Sequence, residues 1–174
     1  MVILYLHGLE SKGLSDEKER MIRDAFEQKV MIHKPVYDYS RTSFDVIEEM
    51  ACTINPDLII GSSLGGKLAF VISQLQNSKA IMFNPAIAKM ELDQVIRMPV
   101  LTTVTKHHFF VFGARDTTVS MKDTIDFLIE KNKHVYSQKD LRHLVIDQLA
   151  HRLPPEIIRD TLMQEEVCSF IANQ

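Results

Sequence analysis

Six short apolar runs punctuate the sequence, at residues 2–6, 30–32, 58–60, 80–83, 108–112 and 143–146. Each is too short for a helix and too continuous for a strand with one wet face, so the pattern predicts strands of a parallel sheet buried on both sides. Between the runs, apolar residues recur at helical spacing. Met21, Ile22, Ala25 and Phe26 share one helical face, Ile47, Met50, Ala51 and Ile54 another, Leu64, Leu68, Val71, Ile72 and Leu75 a third, and Met121, Ile125, Leu128 and Ile129 a fourth. Strands that alternate with helices require crossovers, which are right-handed and cover a parallel sheet on both faces. The predicted fold is α/β, a three-layer sandwich around a roughly six-stranded, mainly parallel sheet, with ligands bound beyond the carboxyl ends of the strands.

Local signals set the boundaries. Ser15 or Asp16 can cap the first helix, with Asp16 and Glu19 at capping-box spacing; Thr42 or Ser43 caps the second, and Ser120 the fourth. Pro154 and Pro155 open the last helix, where proline in the first turn is favoured. Residues 86–106 are less regular: Ile87, Met90, Val95 and Ile96 suit short helices that Pro99 interrupts. That segment is long for a crossover, and we expect a small pocket-covering insertion within one domain spanning residues 1–174.

Composition narrows the function classes. A chain of 174 residues buries roughly 70% of the surface its unfolded form exposes, enough for a sizeable core. A net charge of −3 gives no sign of nucleic-acid or anionic-membrane binding. Cys52 and Cys168 lack disulfide-scaffold and metal-site spacing, so both are expected as core thiols in a reducing compartment. The run at 2–6 is too short for a signal-peptide core or a membrane span, and the expected location is cytoplasmic.

The most informative segment is Gly61-Ser62-Ser63-Leu64-Gly65, which ends the third strand and begins the third helix. It fits G-x-S-x-G, in which a strained strand-to-helix turn exposes a serine hydroxyl, and makes Ser63 a candidate nucleophile. The same letters through Lys67 fit a phosphate-binding loop, G-x-x-x-x-G-K-[ST], except that Leu68 stands where a metal-binding hydroxyl belongs. A third reading is a plain packing turn whose glycines permit close approach.

A serine hydroxyl is a weak nucleophile and needs a histidine to take its proton and a carboxylate to orient that histidine. Asp116 follows the fifth strand and His151 the sixth, so both should share a rim with Ser63. Asp147 is a rival acid. His143 is a rival base, although it begins its strand at the opposite rim. The remaining histidines, His33, His107, His108 and His134, show no metal-ligand spacing. Acyl transfer also needs two donors for the developing oxyanion, and the backbone amides of Leu9, in the loop after the first strand, and Leu64 are the candidates.

With Leu4-Tyr5-Leu6-His7-Gly8, the serine motif, Asn84-Pro85-Ala86, Gly113-Ala114-Arg115-Asp116 and His151 in place, the chain resembles an α/β-hydrolase, and more narrowly the small YqiA/YcfP-like esterase family. The resemblance implies a compact hydrolase fold, a serine esterase or thioesterase activity on a small-molecule substrate, and no metal or organic cofactor. It also implies Ser63 as nucleophile, Asp116 as orienting acid and His151 as base. Two stretches depart from the family pattern. Leu9-Glu10-Ser11-Lys12 replaces an aromatic residue and serines after the first glycine, and Gln148-Leu149-Ala150 replaces glycines before the histidine. The alternatives are a phosphate-loop nucleotide-binding protein and a hydrolase-like fold whose triad is idle.

Overall fold

The computed structural model of the protein describes residues 1–99, 107–131 and 141–172. Strands β1 (Val2–Leu6), β2 (Met31–His33), β3 (Leu58–Ser62), β4 (Lys79–Phe83), β5 (His108–Gly113) and β6 (His143–Ile146) alternate with helices α1 (Asp16–Ala25), α2 (Phe44–Ile54), α3 (Leu64–Gln76) and α4 (Met121–Lys131). A short 3₁₀ helix, Met90–Gln94, lies between β4 and β5, and α5 (Pro155–Leu162) and α6 (Glu165–Ala172) follow β6. All six strands are parallel, in the order β2-β1-β3-β4-β5-β6. The three-layer α/β architecture expected from the sequence is the one observed.

Two-residue alternation divides the four central strands, β1, β3, β4 and β5, between two cores, while the edge strands β2 and β6 are covered on one face only. Leu4, Leu6, Ile59, Ala80, Met82, Phe110 and Phe112 meet α2, α3 and α4 on one face. Ile3, Tyr5, Leu58, Ile60, Ile81, Phe83, Phe109 and Val111 meet α1, α5 and α6 on the other. Because β1 lies between β2 and β3, the crossovers leading to those two neighbours run in opposite directions, and their helices α1 and α2 lie on opposite faces. The loops after β1 and β3 therefore diverge and leave a crevice at their carboxyl ends, the general ligand position of open parallel sheets.

Of the two expected caps of the first helix one is observed, and several other local expectations are corrected. Ser15 is the cap of α1, its Oγ accepting from the Lys18 amide at 3.3 Å, while Asp16 is already helical. Glu19 pairs with Arg23 and Lys34 and does not close a box with Asp16. Residues 64–73 of α3 are buried on every side, while Leu75, assigned to its apolar face, is 46% exposed. The reason is tertiary: α3 packs on β3 and β4 and is roofed by α2 and by Ile87, Leu92, Val95 and Ile96. The single last helix divides at Met163 and Gln164 into α5 and α6. Both cysteines are exposed, so neither is a core thiol. Of the expected insertion at 86–106, residues 86–99 include the 3₁₀ helix and the buried Ala86, Ile87 and Ile96, and residues 100–106 lie outside the described residues. Among the described residues, no helix is long and apolar enough to cross a membrane.

Candidate active site

Ser63 is held in a conformation that few residues adopt. Its φ of 54° and ψ of −121° lie outside the helical and extended regions, so the turn stores strain of roughly 1–3 kcal/mol. Backbone bonds at both ends hold it there: the Ser63 amide donates to the Phe83 carbonyl at 3.0 Å, and the Ala86 amide donates to the Ser63 carbonyl at 3.1 Å. The glycines of the motif allow close packing. A Cβ on Gly65 would lie 2.2 Å from the Leu6 carbonyl oxygen, and one on Gly61 would lie 2.3 Å from the Gly65 carbonyl oxygen.

The hydroxyl of Ser63 reaches His151, with Oγ 3.0 Å from Nε2. The other ring nitrogen, Nδ1, lies 2.8 Å from Oδ2 of Asp116. A carboxylate accepts, so Nδ1 carries the proton and Nε2 is left to accept from the serine. Asp116 is itself fixed: its Oδ1 accepts from the amides of Thr118 at 2.7 Å and Val119 at 2.9 Å, and its side chain is almost fully buried. Oδ1 thus serves the backbone of its own loop and Oδ2 faces the histidine. Asp147 is exposed, and His143 sits at the amino end of β6 with Nδ1 donating to the Leu141 carbonyl. Neither rival joins this chain of bonds.

Of the two proposed oxyanion donors, Leu64 is the first residue of α3, so its amide has no acceptor within the helix. Leu9 follows Gly8, whose absent side chain brings this loop against Ser63: a Cβ there would lie 3.3 Å from the Ser63 Cβ. Sequence reasoning missed what fixes the loop. His7 is buried, its Nδ1 donates to the Gly8 carbonyl at 2.9 Å, and its ring stacks on Tyr37 with centroids 4.1 Å apart. The Tyr39 hydroxyl donates to the His7 carbonyl at 2.5 Å, and the Tyr37 hydroxyl does so at 3.4 Å. Burial pushes both phenols well above their ordinary range, Tyr39 also through its neighbour Tyr37, so they remain donors. The sequence held no periodic signal for this clamp, because both tyrosines lie in an irregular connection after Pro35.

A cleft of about 900 Å³ opens beside Leu9, lined among others by Lys12, Val36, Tyr37, Gln94 and Val95. Lys67, the lysine of the phosphate-loop reading, is buried and donates to the Lys89 carbonyl at 3.0 Å. Leu68 is fully buried beside it. Among the described residues, no group of three or more His, Cys, Asp or Glu side chains could hold a metal ion.

Residues 2–97, rather more than half of the chain, match the model of an uncharacterised protein family, UPF0227. The chain belongs to the UPF0227 family. That match bears out the resemblance to YqiA/YcfP-like proteins, and it spans Ser63, Leu9 and Leu64, while Asp116 and His151 lie beyond it. No curated protein matches this UPF0227 chain. Solved structures share its fold at low identity. A proposed hydrolase of the α/β superfamily from Xanthomonas campestris pv. campestris is 17% identical, with a TM-score of 0.63 over 98% of this chain and 94% of that one. The esterase domain of a Rhodothermus marinus protein is 14% identical, with a TM-score of 0.62 over 98% and 86%. An epoxide hydrolase from Bacillus megaterium is 10% identical, with a TM-score of 0.66 over 99% and 93%. The fold of the UPF0227 chain is that of an α/β-hydrolase.

Proposed function

We propose that this UPF0227 protein is a serine hydrolase that cleaves a small carboxylic ester or acyl thioester through an acyl-enzyme intermediate. The observation that carries the reading is the continuous hydrogen-bonded chain from Ser63 Oγ through His151 to Asp116, at 3.0 and 2.8 Å. The strained Ser63 backbone and the hydrolase fold support it. Ser63 Oγ attacks the substrate carbonyl carbon as His151 Nε2 takes its proton, and Asp116 keeps the imidazole oriented. The amides of Leu9 and Leu64 donate to the oxyanion. Collapse expels the alcohol or thiol, which receives the proton from His151. Water then repeats the sequence and releases the acid.

The cleft beside Leu9 is the proposed substrate site. Its volume of about 900 Å³ lies within the usual range for small-molecule sites. Val36 and Val95 offer apolar contact, and residues 86–99, which contribute Gln94 and Val95, act as its cover. The buried Lys67, committed to a backbone carbonyl, argues against the phosphate-loop reading.

An active-site fluorophosphonate tests the proposal. Wild-type protein should be labelled at Ser63 and should hydrolyse p-nitrophenyl acetate, while Ser63→Ala and His151→Ala should each lower kcat by roughly 10⁴-fold or more. Labelling that persists in Ser63→Ala, or well-folded wild-type protein that takes no label, would overturn it.

A further inference from the structure

We propose that Asn84 is a positioning residue whose carboxamide sets the distance between the Asp116 loop and the His151 loop. The inference rests on the serine-hydrolase reading, since it assigns Asn84 the task of keeping those two residues in register. Asn84 follows β4, touches none of the proposed reacting groups, and is 1% exposed. Its Oδ1 accepts from the Gly113 amide at 2.7 Å, where the acid loop leaves β5. Its Nδ2 donates to the Ala150 carbonyl at 2.8 Å and lies 3.5 Å from that of His151. An amide N–H only donates and a carbonyl only accepts, so these partners fix which end of the carboxamide faces which loop.

No other short side chain could do this. Aspartate has no donor for Ala150, serine cannot span both loops, and leucine would leave the buried Gly113 amide unpaired, at roughly 1–3 kcal/mol, and release the Ala150 carbonyl. The Ala150 carbonyl belongs to the peptide unit that leads into His151, so holding it orients the histidine backbone. The approach is close: a Cβ on Gly113 would lie 2.3 Å from the Leu149 carbonyl oxygen, and the Arg115 amide donates to that oxygen at 3.0 Å. The same turn holds the third member. Phe83 and Ala86, on either side of Asn84 and Pro85, bond the Ser63 backbone. One turn after β4 thus touches the supports of Ser63, Asp116 and His151, although its residues contribute nothing to the chemistry.

Asn84 has a φ of 44°, in the left-handed region, which glycine adopts without strain. Asn84→Gly therefore removes the carboxamide while sparing the backbone. We would measure its thermal unfolding, kcat and KM for p-nitrophenyl acetate, and the downfield Nδ1 proton signal of His151, assigned by its loss in His151→Ala. The expected result is a cooperatively folded protein whose kcat falls about 10- to 100-fold with KM within about twofold, the cost of a small displacement of reacting groups. The Nδ1 signal, which reports the bond to Asp116, should weaken or vanish. Asn84→Asp keeps the acceptor for Gly113 and loses the donor to Ala150, should behave similarly, and decides the matter if Asn84→Gly does not fold. An unchanged Nδ1 signal, with kcat per folded molecule unchanged, would overturn the proposal; so would a loss of activity that only follows the folded fraction. If wild type takes no fluorophosphonate and cleaves no ester, the hydrolase reading fails, and the Nδ1 signals still decide whether Asn84 holds His151 against Asp116.

Discussion

At the scale of single residues, the carboxylate of Asp116 does two jobs with two oxygens. The amides of Thr118 and Val119 occupy Oδ1 and stop the side chain rotating, which leaves Oδ2 aimed at His151. Asp116→Asn can keep the Oδ1 bonds, but it then turns an amide N–H toward Nδ1. The imidazole must present a lone pair there, its proton moves to Nε2, and Nε2 can no longer accept from Ser63. We expect kcat to fall roughly 10⁴-fold with little change in thermal stability, and Asp147→Asn to remain near wild type. Steady-state ester hydrolysis compares the two, and the reverse ranking would move the acid to Asp147. That Ser63, Asp116 and His151 would meet at one rim was legible because each follows a strand of a parallel sheet. The clamp of His7 by Tyr37 and Tyr39 was not, because its bonds to a backbone carbonyl depend on how an irregular connection folds back over β1.

At the scale of elements, burial decided what periodicity could reveal. Runs such as Phe109 to Phe112 read correctly as strands because both faces of a parallel sheet are covered. The motif helix read as amphipathic, yet ten consecutive residues, 64–73, are buried. Those residues include Lys67, whose apolar stem is enclosed while its ammonium finds the Lys89 carbonyl. The contact of α3 with β1 explains why Gly65 stands near the start of that helix. Alanine would improve helix propensity there by about 1 kcal/mol. Its Cβ, however, would lie 2.2 Å from the Leu6 carbonyl oxygen and 2.5 Å from that of His7, both rigid backbone atoms. The overlap should win. We expect Gly65→Ala to lose roughly 3 kcal/mol by urea unfolding and to impair labelling of Ser63, since α3 must shift away from β1. A variant as stable as wild type would show that the strand-to-helix turn at Ser63 tolerates a wider helix–strand spacing than its glycines suggest.

At the scale of the whole molecule, β5 links two different uses of polar groups. Its carboxyl end leads to Asp116, while its amino end begins with His108, buried 2% exposed between α3 and the sheet. The ring of His108 lies against Phe70, Nε2 is 2.9 Å from the Ser73 hydroxyl, and the side-chain nitrogen of Gln74 lies against the ring, 2.5 Å from Nε2 and 3.1 Å from Nδ1. Burial, with a smaller contribution from the charge of His107, pushes its pKa down from 6.5 to about 3. The unfolded chain therefore binds a proton below about pH 6.5 that the folded protein refuses until about pH 3. Stability must rise with pH across that window and be lost as pH falls through it. For two such values the loss from pH 7 to pH 5 is on the order of 2 kcal/mol. His108→Asn removes the titrating ring and keeps polar atoms for Ser73 and Gln74. It should lower stability at pH 7, yet its urea midpoint should fall less between pH 7 and pH 5 than that of wild type. Every other ionisable group is common to both proteins, so the difference in slope isolates His108. Equal slopes would mean that the acid sensitivity of the fold arises elsewhere.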